Sequence, residues 1–437
     1  MTKVLRYLGV SVAVLALIAI GVWWAFLRPD IAQLPVEAVS GPRPKITAPR
    51  EQAFPTIAIA EPIGWRGNAM PIPAEGLTVS AFARDLDHPR WLYALPNGDV
   101  LVAESNSPPR EIKGVTDLVA SWLFKKAGAG VPSANRISLL RDADGDGVAE
   151  LKTPFITGLN SPFGMALVGD QLYVANHDAL MAFPYSDGQT AISSKGNKVV
   201  DLPGGGNHWT KSLVASPDNQ RLYIGVGSTS NIGENGMDVE VNRANILELD
   251  LAKKRLRIFT AGLRNPVGMA WEPVRGNLWT VVNERDMLGS DLAPDYLARA
   301  DFGGFYGWPY TYWGGYEDAR VEQRPEMREY TKRPDYALGP HTASLGLAFG
   351  SLGSFTNGAF IGQHGSWNRK PPSGYKVVFV PFTATGFPQG AMRDVLTGFL
   401  TAKGEAQGRP VGVITDRRGG LLVADDVGNR VWRVSAQ

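Results

Sequence analysis

One phrase recurs six times in this chain, and it constrains the fold more than any other feature. Pro162-Phe163-Gly164-Met165-Ala166-Leu167 leads through a turn to Leu172-Tyr173-Val174-Ala175. Pro266-Val267-Gly268-Met269-Ala270-Trp271 leads in the same way to Leu278-Trp279-Thr280-Val281. The other copies open at Pro89, His208, Ser344 and Pro410. Each reads as strand, turn, strand, because short apolar runs flank Gly-, Asn- or Asp-containing turns. A unit repeated at intervals of tens of residues buries its faces against its neighbours. The expected fold is all-β, a six-bladed β-propeller with about four strands per blade. A β-sandwich would space its strands evenly without a shared phrase. Ring closure is expected between the strand near residues 77–82 and the last one, at 430–434.

Composition enters the argument at three points. The 50 glycines and 31 prolines supply turns, while long amphipathic helical patterns are nearly absent, which favours an all-β chain. A net charge of +2 gives no reason to invoke nucleic acid. With no cysteine, disulfides, thiolate metal sites and a covalently attached c-type haem are excluded.

Residues 7–27 are uninterruptedly apolar, follow Lys3 and Arg6, and end in the aromatic run Trp23-Trp24-Ala25-Phe26. At ~1.5 Å per residue such a helix covers the ~30 Å hydrocarbon core of a bilayer. The N-terminus through residue 28 therefore reads as one uncleaved transmembrane helix, with a cleaved signal as the alternative. Residues 29–74 contain nine of the 31 prolines and read as a semi-rigid linker holding the head off the membrane. The propeller is expected over 75–437. Residues 115–127 break the β pattern with helical spacing, reading either as a surface helix packed on a blade or as a lid or membrane-touching helix.

In a propeller the residues just before each innermost strand converge on one mouth of the central channel. Here they are Asp87-His88, Asn160-Ser161, Asn207-His208, Arg264-Asn265, His341-Thr342 and Gly408-Arg409. A ring of histidine, arginine and asparagine with little fixed negative charge suits an anionic, planar, hydrogen-bonding ligand. His208 follows three glycines and can serve as a general base near neutral pH; the bland alternative is a histidine satisfied inside its loop. Asp142, Asp144, Asp146 and Glu150 have the oxygen spacing of a calcium loop, although the twelfth position is Thr153 where a bidentate glutamate would stand. That turn is either a weak calcium site or a solvated acidic turn. Asn283-Glu284-Arg285-Asp286, with the wall Phe305-Tyr306-Gly307-Trp308-Pro309-Tyr310, could place oxygens on a hard cation or be ordinary loop packing.

Several of these phrases resemble a known family. Gly205-Gly206-Asn207-His208-Trp209-Thr210, Gly262-Leu263-Arg264-Asn265-Pro266, Asn283-Glu284-Arg285-Asp286, Phe305-Tyr306-Gly307-Trp308-Pro309, His364-Gly365-Ser366-Trp367-Asn368-Arg369 and Gly408-Arg409-Pro410-Val411-Gly412 are similar to the pyrroloquinoline quinone (PQQ) dependent sugar dehydrogenases of the soluble glucose dehydrogenase and sorbosone dehydrogenase type. The match runs from about Gly76 onward. The resemblance implies a six-bladed propeller, PQQ and calcium as cofactors, and oxidation of an aldose or sugar aldehyde. It makes His208 the base for the substrate hydroxyl, with Arg264 and Asn265 facing the quinone oxygens. Arg409 and Arg369 would pair with the cofactor's carboxylates, while Asn160, Asn207, His341 and Trp367 would line its site. Backbone oxygens of Arg285 and Asp286 would hold calcium. The resemblance further implies a periplasmic catalytic domain passing electrons to a separate acceptor, a membrane quinone or cytochrome. Two other readings compete: a calcium-dependent propeller lactonase, and a non-catalytic sugar-binding propeller.

Overall fold

The computed structural model describes residues 2–23, 28–50, 55–109, 114, 121–123 and 125–437. The helical segment expected at 115–127 and the aromatic run after Trp23 fall largely outside them.

Each of the six phrases forms the two inner strands of an antiparallel blade. The innermost strands are Pro89–Ala94, Met165–Val168, Lys211–Ala215, Pro266–Trp271, Ser344–Leu352 and Pro410–Thr415. The ring closes as the sequence suggests. Leu77–Ala83 completes the sheet of Pro410–Thr415, Leu421–Asp425 and Arg430–Ala436, with Val79 opposite Val434.

The residue at or just before the start of each innermost strand explains the recurring phrase. Trp91, Phe163, Trp209, Val267, Leu345 and Val411, one from each blade, pack into a single cluster on the axis. Phe163 lies 4.7 Å from Trp91 and 5.8 Å from Trp209, ring to ring. Each large buried side chain contributes about 1.5–3 kcal/mol. The channel is thus plugged beneath its mouth. The glycine that follows in several copies allows neighbouring innermost strands to approach. A Cβ on Gly268 would stand 2.7 Å from the Leu345 carbonyl oxygen of the next blade.

The proline-rich segment does not behave as a spacer. Ser40–Gly41 adds an outer strand to the fourth blade, and Ile72–Pro73 adds one to the fifth. Arg50 Nη2 bonds Asp291 at 2.9 Å, the Ala32 amide donates to the Lys370 carbonyl, and Trp65 is buried with Nε1 2.6 Å from Asp425 Oδ2. A chain with few donors of its own is held by these bonds across the mouth-side loops of blades four, five and six. Proline fits there because outer-edge strands leave one hydrogen-bonding side unpaired.

A helix spans Thr2–Val22. Side chains from Val10 to Trp23 that the structure describes are exposed. Among the described residues, no helix is long and apolar enough to cross a membrane.

Candidate functional site

His208 stands at the mouth, ahead of the innermost strand of the third blade. Its Nδ1 lies 2.9 Å from the Ser228 carbonyl oxygen and 3.1 Å from Ser228 Oγ. A carbonyl only accepts, so Nδ1 carries the hydrogen and the lone pair of the neutral ring sits on Nε2. Asn265 is its neighbour. A Cβ on Gly227 would stand 2.5 Å from His208 Cβ and would collide with Asn265 Oδ1, so glycine leaves room there for both side chains. Asn265 Oδ1 is buried without a hydrogen-bond partner. An unmet buried acceptor costs about 1–3 kcal/mol, and such groups mark sites awaiting a ligand.

Arg264 does not face outward as the resemblance implies. Its Nε donates to the Asn231 carbonyl, Nη1 to Asn283 Oδ1 and the Glu284 carbonyl, and Nη2 to Asn231 Oδ1 and Asp286 Oδ2, at 2.7–3.2 Å. All five N–H groups are thereby used, so Arg264 contributes charge and rigidity, with no donor left for a quinone oxygen. Asp286 in turn meets His341 Nδ1 at 3.2 Å. Burial alone would raise the Asp286 pKa, but the His341 hydrogen bond and Arg264 charge hold it below the usual carboxylate value, with His208 adding to the effect. For His341, burial works against the imidazolium, yet Asp286 and the Gly289 carbonyl, 3.0 Å from Nε2, raise its pKa. With both ring nitrogens engaged, His341 belongs to the wall and has no contact to offer a cofactor.

The backbone oxygens expected to hold calcium belong to a packed part of the wall. Arg285 is 0% exposed, so none of its atoms meets water in an open mouth, as an ion site shared with a removable cofactor would. Its guanidinium binds Glu284 Oε2 at 2.8 Å, Pro309 O at 2.8 Å and Thr311 O at 2.7 Å. The Asp286 carbonyl already accepts from Asn231 Nδ2 at 3.2 Å and Arg320 Nη1 at 2.9 Å. Two donors satisfy its two lone pairs, one of them cationic.

Across the mouth lies a second polar group. Asp426 accepts from His364 Nε2 at 2.8 Å and from Arg90, with His88 Nε2 at 3.5 Å. Burial opposes its charge, but these three neighbours keep it well below the normal carboxylate range. Burial lowers the pKa of both histidines, that of His88 to about 4. Arg409 is 5% exposed, its guanidinium stacks over Tyr375 at 5.1 Å and makes only long bonds, 3.3 Å to the Tyr375 hydroxyl and 3.4 Å to the Ala60 carbonyl. Among the described residues it forms no ion pair, and its Nε is unpartnered, as is Nε of Arg90. A buried guanidinium without a carboxylate suits an anion arriving from outside. Beside this group a cavity of about 470 Å³ is lined by Pro62, His88, Ser133, Asp426 and Asn429, among others.

The remaining expected residues divide. Trp367 is 37% exposed and presents an indole at the mouth, and Asn160 and Asn207 are exposed there. Arg369 ties two loops, its Nε donating to Ser290 O at 3.0 Å and Nη1 to Pro371 O at 2.7 Å. The ligand atoms of Asp142, Asp144, Asp146 and Glu150 lie within 4.8 Å of one another. They occupy the turn between the third and fourth strands of the first blade, on the face opposite the mouth, where Arg418 already pairs with Asp142 at 2.5 Å. That turn can take no part in chemistry at the mouth. Arg90, His364 and Asp426 were not assigned from sequence. Arg90 and Asp426 could have been found, since Arg90 follows the opening proline of one copy and Asp426 follows its strand in another.

The chain matches the TrAA12-like family over residues 71–294 and 318–437. It is 27% identical over 338 residues to a pyrroloquinoline quinone-dependent pyranose dehydrogenase from Coprinopsis cinerea, covering 63% of this chain and 46% of that protein. Its fold is similar to the calcium structure of the Trichoderma reesei carbohydrate-active enzyme of family AA12, with a TM-score of 0.70 and 19% identity over 87% of this chain and 99% of that one. It is also similar to the holo form of the PQQ domain of the Coprinopsis cinerea pyranose dehydrogenase, with a TM-score of 0.68 and 21% identity over 86% and 100%. A six-bladed ring with a plugged axis and a polar mouth, matched over most of its length, places this chain in the TrAA12-like family.

Proposed function

We propose that the chain is a PQQ-dependent dehydrogenase that oxidises the hydroxyl of a pyranose or related sugar. The observation that carries this reading is the convergence of His208 and Asn265 on Gly227, opposite a buried arginine that forms no ion pair among the described residues. PQQ, when bound, supplies a two-electron acceptor for hydride. Arg409 and Arg90 would receive its carboxylates, and the exposed Trp367 indole offers a face for a planar ring. His208, its proton fixed on Nδ1 by Ser228, would take the sugar hydroxyl proton at Nε2. Asn265 would bond the reacting group, and the Arg264–Asp286–His341 network would keep both in place. Calcium enters no step here, because the Asp286 carbonyl expected to hold it already accepts from Asn231 and Arg320. The lactonase reading gains nothing from the mouth: among the described residues, the one carboxylate-rich group within metal-binding distance lies on the other face.

Titration of the purified chain with PQQ, with sugar oxidation followed through an artificial electron acceptor, tests the reading. PQQ-dependent turnover of at least one pyranose is expected; saturable PQQ binding without oxidation of any aldose would leave a binding propeller instead. The exposed apolar helix at Thr2–Val22 would serve as the membrane anchor expected from the sequence, with the propeller in the periplasm. Electrons would then leave to a separate membrane quinone or cytochrome. A reporter active only in the periplasm, fused after Gln437, should be active and fractionate with membranes.

A further inference from the structure

Residues 204–208 carry three glycines in succession and lie on the surface, a composition that leaves a loop loose unless something holds it. Here three buried basic side chains hold it from beneath. His177 spans the loop, its Nε2 accepting from the Gly205 amide at 2.6 Å and its Nδ1 lying 3.3 Å from the Trp209 carbonyl. Lys211, fully buried, donates from Nζ to the same Trp209 carbonyl at 3.1 Å. Arg243 donates to the carbonyls of Gly204 and Gly227, the latter at 3.5 Å. His208 lies between the tethered carbonyls of Gly204 and Trp209, and Gly227 is the residue on which it converges with Asn265.

We infer that His177, Lys211 and Arg243 form a clamp that positions His208, acting through the backbone of residues 204–209 and Gly227. The inference rests on the reading of His208 as the base. The chemistry fits a clamp and not a ligand site. Each nitrogen named is directed at a main-chain group, and His177 can bridge an amide and a carbonyl only as the neutral ring, with its proton on Nδ1. Burial and the nearby Lys211 charge keep His177 neutral by lowering its pKa, while Asp178 and the Trp209 carbonyl act in the opposite sense. Misplacing a base by about 1 Å from its substrate costs on the order of 10²-fold in rate.

The test uses His177→Ala, His177→Gln and Lys211→Met in the full chain. Hydrogen–deuterium exchange of the peptide covering residues 203–210 is measured without cofactor, and kcat and KM are measured with PQQ. Exchange should be faster in that peptide than in the rest of the propeller for His177→Ala and Lys211→Met. Turnover should fall on the order of 10²-fold in His177→Ala with the sugar KM nearly unchanged. His177→Gln, whose amide can accept from Gly205 and donate to Trp209, should recover most of both effects. Exchange unchanged in the first two variants overturns the clamp, whatever the activity. Faster exchange with undiminished kcat overturns its role in positioning the base. If the parent shows no PQQ-dependent oxidation, the dehydrogenase reading fails, and with it the clamp's catalytic purpose; the exchange data still decide whether the three side chains hold the loop. Should His177→Ala fail to fold, Lys211→Met carries the same two measurements.

Discussion

His341 Nδ1 lies 3.2 Å from Asp286 Oδ1, joining the wall of the fifth blade to the network that fixes Arg264. The pair gives the mouth a pH-dependent stability whose sign can be worked out. His341 is raised above 6.5, so its contribution is complete below that pH and is lost as pH climbs through the higher native value. Asp286 is depressed below 3.8, so its contribution is complete above that pH and is lost as pH falls through the lower native value. Asp286→Asn should therefore destabilise the protein by about 3–5 kcal/mol, the usual cost of breaking a buried pair. In thermal melts across pH, the gap between parent and variant should be widest between 3.8 and 6.5 and narrow on the alkaline side. A gap that stays constant through neutrality would mean that His341 is neutral in the native state.

Replacing His208 by alanine should lower kcat by ~10²–10⁴-fold, the range general-base catalysis usually contributes. PQQ affinity should be retained, because the groups assigned to its carboxylates lie across the mouth. Turnover at saturating PQQ separates the two effects. Full recovery of turnover there would make His208 a binding residue.

Arg409 and Arg369 are expected to differ, although both are buried arginines on the mouth side. Arg409→Met should weaken PQQ binding by about 1.5–3 kcal/mol, one charge-assisted hydrogen bond. Arg369→Met should leave PQQ affinity unchanged and lower the melting temperature, since its guanidinium ties Ser290 to Pro371. Fluorescence titration with PQQ and a thermal melt of each variant check the pair. Equal losses of affinity would restore Arg369 to the cofactor site.

Gly268→Ala tests the reason for the recurring glycine. The added methyl would meet the Leu345 carbonyl at 2.7 Å, and overpacking of this kind costs about 1–3 kcal/mol. Denaturant unfolding should show that loss. A neutral result would mean that neighbouring innermost strands separate freely.

The ring was legible in the sequence because its physics is repetitive. Phe163, Val267, Leu345 and Val411 recur in the same phrase because each fills the same axial position. The closing strand was legible as well, since Leu77–Ala83 and Arg430–Ala436 alternate with the same period. Side-chain direction was not. Arg264, Arg369 and His341 occupy the places the mouth predicts, but their nitrogens point into Asn231, Ser290 and Gly289, partners that lie far along the chain. Nor did proline content reveal that residues 29–74 bind the propeller, because an edge strand and an extended spacer call for the same backbone. The clamp under His208 was invisible for a simpler reason: His177 and Arg243 approach it from outside the recurring phrase.

The apolar plug on the axis has a kinetic consequence. A ring closed at its centre by Trp91, Phe163, Trp209, Val267, Leu345 and Val411 offers no passage through the molecule. Whatever enters the mouth must leave by it, so a sugar and an electron acceptor that both need this entrance exclude one another. The two half-reactions then alternate, and an excess of either reactant slows the other, so steady-state plots at several acceptor concentrations should give parallel lines.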